Sequence, residues 1–328
     1  MRPLPRLLLL ALAAAAALVV GVRVGAVPLS LRELADAVRG IGDPTTVAIV
    51  RRLRLPRAVL AAVVGGALAA SGATFQALLR NPLAEPYILG VSGGAAVGAV
   101  VAIVATGAAA SSGVVSLAAF AGAAGAIVLV FRIASSVGRA LDTRVMLLAG
   151  VVVGAFFNAC ILLVLTFADT EAFRSAIFWI MGSFSGATWR AAGFLSLAVF
   201  PALLVLFALA RPLNLLAVGD DTAAYLGVRV DRAKLLAYGT ASLLTAAAVA
   251  ASGVIGFVGL VVPHVVRMLW GGDHRFLLPA SVLLGAAFVV LADALARTAA
   301  APAELPIGVV TAFVGVPFFV YLLRRRRA

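Results

Sequence analysis

Long runs of apolar residues recur along the whole chain and constrain its fold more than any other feature. A run of about 20 apolar residues with few charges has the length that crosses a membrane as a helix. Nine such runs lie at residues 7–27, 58–77, 91–104, 114–133, 145–167, 192–210, 235–251, 277–295 and 307–323. A shorter, glycine-rich run at 254–270 is a tenth. We therefore predict an all-α polytopic membrane protein with about ten transmembrane helices, in a single transmembrane domain over residues 1–328.

The apolar content is too high for one soluble core. Of the 328 residues, 64% are hydrophobic and 12% are charged, whereas soluble domains are about 45–50% apolar and about 25% charged. A net charge of +13 in a soluble protein would suggest nucleic acid. In a membrane protein, arginine-rich cytoplasmic loops explain it. We expect lipid and no nucleic acid among the partners. Cys160 is the single cysteine, so the chain forms no internal disulfide.

The distribution of positive charge predicts the orientation. Residues 324–327 are all arginine and mark the cytoplasmic side, and an even number of spans places the N-terminus, with Arg2 and Arg6, on that side too. The other loops assigned to the inside share basic residues, namely Arg80, Arg132, Arg139, Arg144, Arg211, Arg229, Arg232, Lys234, Arg267 and Arg275. Both termini are therefore predicted to be cytoplasmic.

The first outer loop departs from this rule. Residues 51–57 contain four arginines on the side where positive charge is disfavoured. Arg297 lies at the outer end of the ninth span, four residues after Asp293. We interpret Arg54, Arg57 and Arg297 as a basic outer surface that binds acidic groups of a soluble partner through charge-assisted hydrogen bonds. Snorkelling of these side chains to lipid phosphates is the alternative.

Residues 214–233 have the pattern of a short surface helix in an inside loop. Gly219 breaks the chain after the sixth span. Asp220 and Asp221 suit a helix N-terminus, where the helix dipole favours negative charge. Gly227 suits the position just past a helix end.

Small side chains follow on part of this helix. Ala223 and Ala224, beside Thr222 and Leu226, would let it press into a groove on a partner protein. Asp231 can cap the span that follows. An ordinary connecting helix is the alternative interpretation.

Two further patterns predict structure rather than chemistry. Pro82 and Pro86 end the second span and force a rigid turn before the third. Gly90, Gly94 and Gly98 are spaced to lie on one helix face, where small residues allow close helix packing in lipid.

Signals for an enzyme are weak. His264 and His274 do not have the spacing of a His-x-x-x-His metal site. Asp220 and Asp221 lack a third carboxylate nearby to hold magnesium. No glycine-rich loop ends in Gly-Lys-Ser/Thr, so the chain does not bind ATP through a P-loop. Ionisable residues are almost lacking deep in the spans, which argues against a proton-coupled carrier. A membrane-embedded transferase and an ion-coupled secondary transporter are the disfavoured alternatives.

Taken together, several segments resemble the permease subunits of bacterial ABC importers for iron-siderophores, haem and cobalamin, the BtuC/FecCD-like family. The resemblance covers nearly the whole chain. It is carried by residues 54–57, 72–76, 81–86, 89–94, 148–150, 179–183, 219–227, 256–264, 273–275, 292–297 and 304–311.

The resemblance implies a ten-helix subunit of the bacterial inner membrane. A second copy would pair with it, two cytoplasmic ATPase subunits would bind ATP and Mg, and a periplasmic or lipid-anchored substrate-binding protein would deliver cargo. The chain itself would hold no cofactor and no metal. Gly219 to Gly227, with Leu226, would be the coupling helix in the ATPase groove. Arg54, Arg57 and Arg297 would meet glutamates of the binding protein.

The resemblance also implies a pore-lining fifth span with a cytoplasmic gate near its start. Members commonly have small polar residues at this gate, but here Arg144 follows Thr143. Further along the same span, the candidate pore residues are Phe156, Phe157, Asn158 and Thr166. This mainly apolar lining suits a siderophore, haem or a corrin. An iron chelate moved by alternating access is the favoured cargo, with cobalamin as the alternative.

Overall fold

Helices make up every regular element in the described residues, which are 3–25, 27–107, 112–137 and 142–325 of the computed structural model. The α-helices are α1 (Pro3–Arg23), α2 (Leu31–Arg39), α3 (Pro44–Ala48), α4 (Leu55–Leu78), α5 (Val91–Thr106), α6 (Ser112–Val137), α7 (Thr143–Thr166), α8 (Thr170–Ile180), α9 (Trp189–Ala208), α10 (Ala210–Val218), α11 (Asp220–Tyr225), α12 (Val230–Ser252), α13 (Val258–Trp270), α14 (His274–Thr298) and α15 (Ile307–Arg325). A π-helical turn occupies Ile49–Arg54 and a 3₁₀ turn occupies Pro86–Leu89.

The predicted spans correspond to helices. Seven helices in the described ranges are long and apolar enough to cross a membrane, and three shorter apolar helices, α5, α13 and α15, bring the number to ten. The all-α polytopic fold is confirmed. Of the residues used to predict orientation, Arg2, Arg139, Arg326 and Arg327 lie outside the described residues.

The boundaries of the first two spans differ from the prediction. Helix α1 ends at Arg23 rather than at residue 27. The short helix α2 follows, and its start is fixed by a capping box in which Ser30 and Glu33 bond each other's backbone N–H groups. Residues Pro44–Leu78 then form one 35-residue helical stretch. The arginines at 51–57 therefore lie on a helix and not in a loop.

Helix α4 lies at the centre of the bundle. It packs against α1, α9, α12, α13 and α14, and 83% of its most apolar stretch is buried, whereas α7, with 17%, is the least buried of the seven spans. Most buried apolar side chains of the described residues form one large cluster that extends from Leu10 to Val310, beside two smaller clusters that involve α1. Lipid tails are as apolar as these side chains, so the hydrophobic effect does not drive one helix against another within a membrane. Close packing is therefore needed to hold these helices together.

Glycines provide that close packing. A side chain at Gly94 would overlap the carbonyl oxygen of Gly122, and one at Gly98 would overlap that of Ala118, so α5 and α6 approach each other at backbone distance. The predicted packing face is therefore confirmed for Gly94 and Gly98. Gly90 does not belong to it, because it precedes α5 in the left-handed region, with a φ of 70°.

Candidate functional site: polar clusters at the two ends of the bundle

The helical register near the start of α4 is changed by Pro56. Proline has no backbone N–H, and the N–H of Leu55 bonds the carbonyl of Val50, five residues back. Pro56 therefore has no donor to offer the Arg51 carbonyl. That oxygen instead accepts the indole N–H of Trp189, at the start of α9, at 2.8 Å. The π-helical turn thus joins α4 to α9.

The first predicted docking residue, Arg54, points into the protein. Only 8% of Arg54 is exposed. Its guanidinium donates to the carbonyls of Val22 at 3.2 Å, Arg23 at 3.0 Å and Val27 at 2.6 Å. The first two are among the last carbonyls of α1, where unpaired C=O groups and the helix dipole favour a cation. Arg54 therefore caps the C-terminus of α1.

Asp293 of α14 binds the other two predicted docking arginines. Arg57 donates to it through Nε at 3.0 Å and Nη2 at 2.9 Å, and Arg297 donates through Nε at 3.0 Å. Arg297 also donates to the carbonyls of Gly21 and Val24. The carboxylate is buried, so its charge requires these partners.

Glu304 lies on the other side of Arg57. Its two carboxylate oxygens accept hydrogen bonds from Arg57 Nη1 at 3.0 Å and Nη2 at 2.9 Å. Its side chain is 44% exposed, against 3% for Asp293. Glu304 also lines a cavity of about 1270 Å³, together with Arg190 and Ser183. We call Arg54, Arg57, Asp293, Arg297 and Glu304 the arginine cluster.

The structure thus brings the three predicted arginines together, but not as an exposed basic surface. The side chains of Arg57 and Arg297 are 13% and 10% exposed, and all three arginines are bonded within the chain. The prediction of an exposed surface is wrong for these residues, because a carboxylate and a helix C-terminus draw their charges inward. Arg51 and Arg52 are the exposed arginines of the same segment.

The opposite end of the bundle carries the α10–α12 segment, residues 214–233. Helix α11 forms where the sequence predicted it. Asp220 binds Lys234 of α12 at 2.5 Å and Arg80, which follows α4, at 3.7 Å. Gly227 has a φ of 82°, and its N–H bonds Ala224 while that of Val228 bonds Ala223, as in a Schellman motif.

Two details of this segment differ from the prediction. Asp231 does not cap α12, because the helix already begins at Val230. Ala223 is fully buried within the chain and does not face a partner. The exposed residues here are Asp221, Thr222, Ala224, Tyr225 and Leu226, of which Tyr225 is 92% exposed.

The six predicted gate and pore residues are spread along α7 and do not form one cluster in this chain. Thr143 and Arg144 lie in its first turn, capped by Asp142, and Thr166 lies at its end, about 35 Å away at 1.5 Å per residue. The hydrogen bonds from the N–H groups of Arg144 and Val145 hold the pKa of Asp142 below its ordinary value.

The middle of α7 carries the remaining three. The rings of Phe156 and Phe157 contact each other with centroids 5.9 Å apart. Phe156 and Asn158 are exposed, as are Arg144 and Thr166 near the helix ends. The side chains are available to a second chain, to lipid or to cargo.

The loop before α5, which the sequence predicts only as a rigid turn, contacts the segment before α13. In the structure Glu85 accepts the backbone N–H of Phe257 at 2.8 Å, beside the N-terminus of α13. The Tyr87 hydroxyl donates to the carbonyl of Ile255 and accepts its N–H. This loop thus positions the short helix α13. In the sequence, the feature that could have pointed to this role is an acidic residue, Glu85, next to Pro86. It does not indicate that the partner is Phe257.

Buried charge is also more frequent than predicted. Arg54, Lys234 and Asp293 are each less than 10% exposed. Each lies near an end of its helix and pairs with a group from another element. Asp293 pairs in addition with Arg297, one turn later on the same helix.

These features define a multi-pass helical membrane protein with ionic clusters at both ends of the bundle. Comparison with known proteins places it more closely: a model of the FecCD transport family matches residues 9–325. The chain belongs to this family, whose members are permease subunits of ABC importers and are not themselves ATPases.

Individual relatives are similar over most of their length. The cobalamin import system permease protein BtuC of Halobacterium salinarum is 45% identical over 87% of this chain and 76% of its own. The hemin transport system permease protein HmuU of Yersinia pestis is 42% identical over 84% and 83%. A solved structure of a metal-chelate type ABC transporter in an inward-facing conformation superposes with a TM-score of 0.88 at 33% identity, covering 98% of this chain and 99% of that chain.

Proposed function

We propose that this permease moves an iron chelate, a siderophore complex or haem, across the bacterial inner membrane by alternating access. The observation that carries this proposal is the similarity over nearly the whole chain to the metal-chelate type transporter. The similarity to a hemin permease supports haem as one form of the cargo. Cobalamin is the second candidate, favoured by the 45% identity to a cobalamin permease.

The proposed assembly contains two copies of this chain, two cytoplasmic ATPase subunits that bind ATP and Mg, and a periplasmic or lipid-anchored binding protein. The low burial of α7 in one copy supports a pairing face or a pore wall there. Thr143 and Arg144 would then lie at a gate at one end, and Phe156, Phe157, Asn158 and Thr166 along the path. Both chain termini would be cytoplasmic.

The α10–α12 segment is the proposed contact with the ATPase. Its ion pairs to Arg80 and Lys234 fix α11 to α4 and α12. A force on α11 would therefore be transmitted to the central helix of the bundle. The exposed ring of Tyr225 and side chain of Leu226 provide the apolar contact.

The arginine cluster is the proposed contact with the binding protein. The guanidinium groups of the cluster are mostly buried. Arg57 is nevertheless bonded to Glu304, whose side chain is 44% exposed at the surface. This retains the predicted docking role of Arg54, Arg57 and Arg297, with Arg57 as the residue that a partner would meet first.

Transport by the reconstituted assembly tests the function. Vesicles containing this chain, the ATPase and the binding protein should accumulate one of ferric siderophore, haem or cobalamin when supplied with ATP. Binding of the three compounds to the binding protein, measured in parallel, identifies the cargo class. Accumulation by this chain alone, driven by an ion gradient, would contradict the proposal and support a secondary transporter.

A further inference from the structure

Arg57 holds two carboxylates at once. Nε and Nη2 bind Asp293, while Nη1 and Nη2 bind Glu304, all at 2.9 to 3.1 Å. Planar guanidinium groups favour such bidentate pairs with carboxylates. One side of the Arg57 guanidinium is therefore a carboxylate-binding site, and in this structure the chain's own Glu304 fills it.

The two carboxylates are held very differently. Asp293 is 3% exposed and is bound by Arg297 as well as by Arg57. Glu304 is 44% exposed, and among the described residues its ion pair is with Arg57. Separating Asp293 from Arg57 would leave a buried carboxylate with Arg297 as its remaining ion-pair partner, which is unfavourable because a buried charge depends on its partners. Separating Glu304 breaks a partly exposed pair, which costs little.

The charge balance favours an incoming carboxylate. The cluster contains three arginines and two carboxylates, which leaves a net charge of +1. If Glu304 swung away into solvent, the cluster would carry one further uncompensated positive charge. An acidic side chain on the surface of a soluble protein could then replace it without a buried charge being created.

Glu304 lies in the non-helical segment 299–306 between α14 and α15. At the start of α15, directly after this segment, the N–H groups of Ile307 and Gly308 bond the carbonyls of Gly182 and Met181. Within the segment, the N–H of Leu305 bonds the carbonyl of Ala296, and the ion pair of Glu304 with Arg57 adds a side-chain contact that holds the segment against α4.

We propose that Glu304 is an internal substitute for a carboxylate of the binding protein. On docking, an acidic side chain of that protein takes the outward side of Arg57, and Glu304 is released together with segment 299–306. Asp293 stays bound throughout. This inference rests on the proposed docking role of Arg57, and it adds that docking is an exchange of one carboxylate for another.

The exchange is tested by removing the internal competitor. With the assembled transporter in vesicles, Glu304→Gln should tighten binding of the isolated binding protein about two- to fivefold, the equivalent of a partly exposed ion pair. Asp36→Asn is the matched control. It removes a partly exposed carboxylate of α2 that pairs with Arg32 at 4.0 Å, near the same end of the bundle, and should change the dissociation constant less than twofold.

The two proposals fail in different ways. If Arg57→Gln weakens binding but Glu304→Gln does not tighten it, Arg57 is a docking residue and the exchange is wrong. If Arg57→Gln also leaves binding unchanged, the docking role of Arg57 fails and the exchange fails with it.

A second measurement keeps the exchange testable if Glu304→Gln does not assemble. A spin label at Ala303→Cys, in a Cys160→Ala background, reports the mobility of segment 299–306, since Ala303 is exposed and Cys160 is the single native cysteine. Adding the binding protein should increase the mobility of the label. Unchanged or reduced mobility at saturating binding protein would overturn the exchange.

Discussion

Pro56 shows how one residue can set the contacts of a distant helix. By withholding a backbone N–H, it leaves the Arg51 carbonyl free to accept the Trp189 indole at 2.8 Å. A π-helical turn inside a longer helix frequently marks a functional position. Here it contains Arg54 and lies three residues before Arg57.

The indole bond predicts the effect of a conservative substitution. Trp189→Phe keeps an aromatic ring but removes the donor, so the purified permease should lose about 0.5–1.5 kcal/mol of stability. Thermal unfolding in detergent measures this loss. Phe200→Leu, on the same helix and also exposed, is the control and should have a smaller effect. Equal melting temperatures for Trp189→Phe and the wild type would contradict the bond's importance.

The unequal burial of Asp293 and Glu304 predicts unequal costs. Asp293→Asn leaves Arg57 and Arg297 facing a neutral amide in a buried site, and should cost about 3–5 kcal/mol. Glu304→Gln removes a partly exposed pair and should cost about 0–1 kcal/mol. Thermal unfolding of both variants in one detergent makes the comparison. If Asp293→Asn and Glu304→Gln lost similar amounts of stability, the difference in burial between the two carboxylates would not correspond to a difference in free energy.

At the scale of elements, the contact between α5 and α6 depends on missing side chains. The backbones of Gly98 and Ala118 approach so closely that no Cβ fits at Gly98. The α5–α6 contact is also the most extensive between any two helices of the described chain. Steric exclusion rather than polar bonding therefore defines how this pair packs.

Valine at this contact should separate the two helices. Gly98→Val should destabilise the permease by about 1–3 kcal/mol or more, because the added atoms meet backbone that cannot yield easily. Gly125→Val on α6 is a matched control, since nothing lies within 4 Å of a Cβ at that position. Chemical or thermal unfolding reports the difference. Equal stability of Gly98→Val and Gly125→Val would show that the close approach of α5 and α6 at Gly98 does not limit side-chain size.

At the scale of the whole molecule, the exposed face of α11 should decide assembly with the ATPase. Leu226→Glu and Tyr225→Glu replace two exposed apolar side chains by charged ones and should abolish co-purification of the ATPase while leaving the permease folded. Leu53→Glu is the control: Leu53 is as exposed as Leu226, at 61% and 56% respectively, but it lies in the π-helical turn before α4, whereas α11 lies near the residues that follow α4. Retained co-purification in both α11 variants would contradict the coupling proposal.

A charge at Ala223 would not be an equivalent test. The sequence suggested that Ala223 faces a partner, whereas the structure buries it within the chain. Ala223→Glu would place an unpaired charge in the interior and destabilise α11 itself. Loss of the ATPase in that variant would therefore say nothing about the contact surface.

Much of the fold and part of the candidate site followed from local sequence patterns. The spans are determined by runs of apolar residues, because a helix in lipid must satisfy its own backbone and present apolar side chains. Gly227 ends α11 because glycine tolerates a positive φ, and Asp293 meets Arg297 because residues four apart share a helix face. Each of these depends on neighbours within about one helical turn.

The long-range polar bonds depend on how the helices pack against one another. Arg57 and Asp293 are 236 positions apart, and Phe257 is 172 positions from Glu85. No local pattern selects these partners from the other charged residues of the chain. The sequence by itself established a polytopic helical protein of the importer permease family with arginines gathered at one end. Whether those arginines face a partner or the interior depended on which carbonyls and carboxylates the packed helices brought within hydrogen-bonding distance of them, because a buried charge is stable only beside its partner.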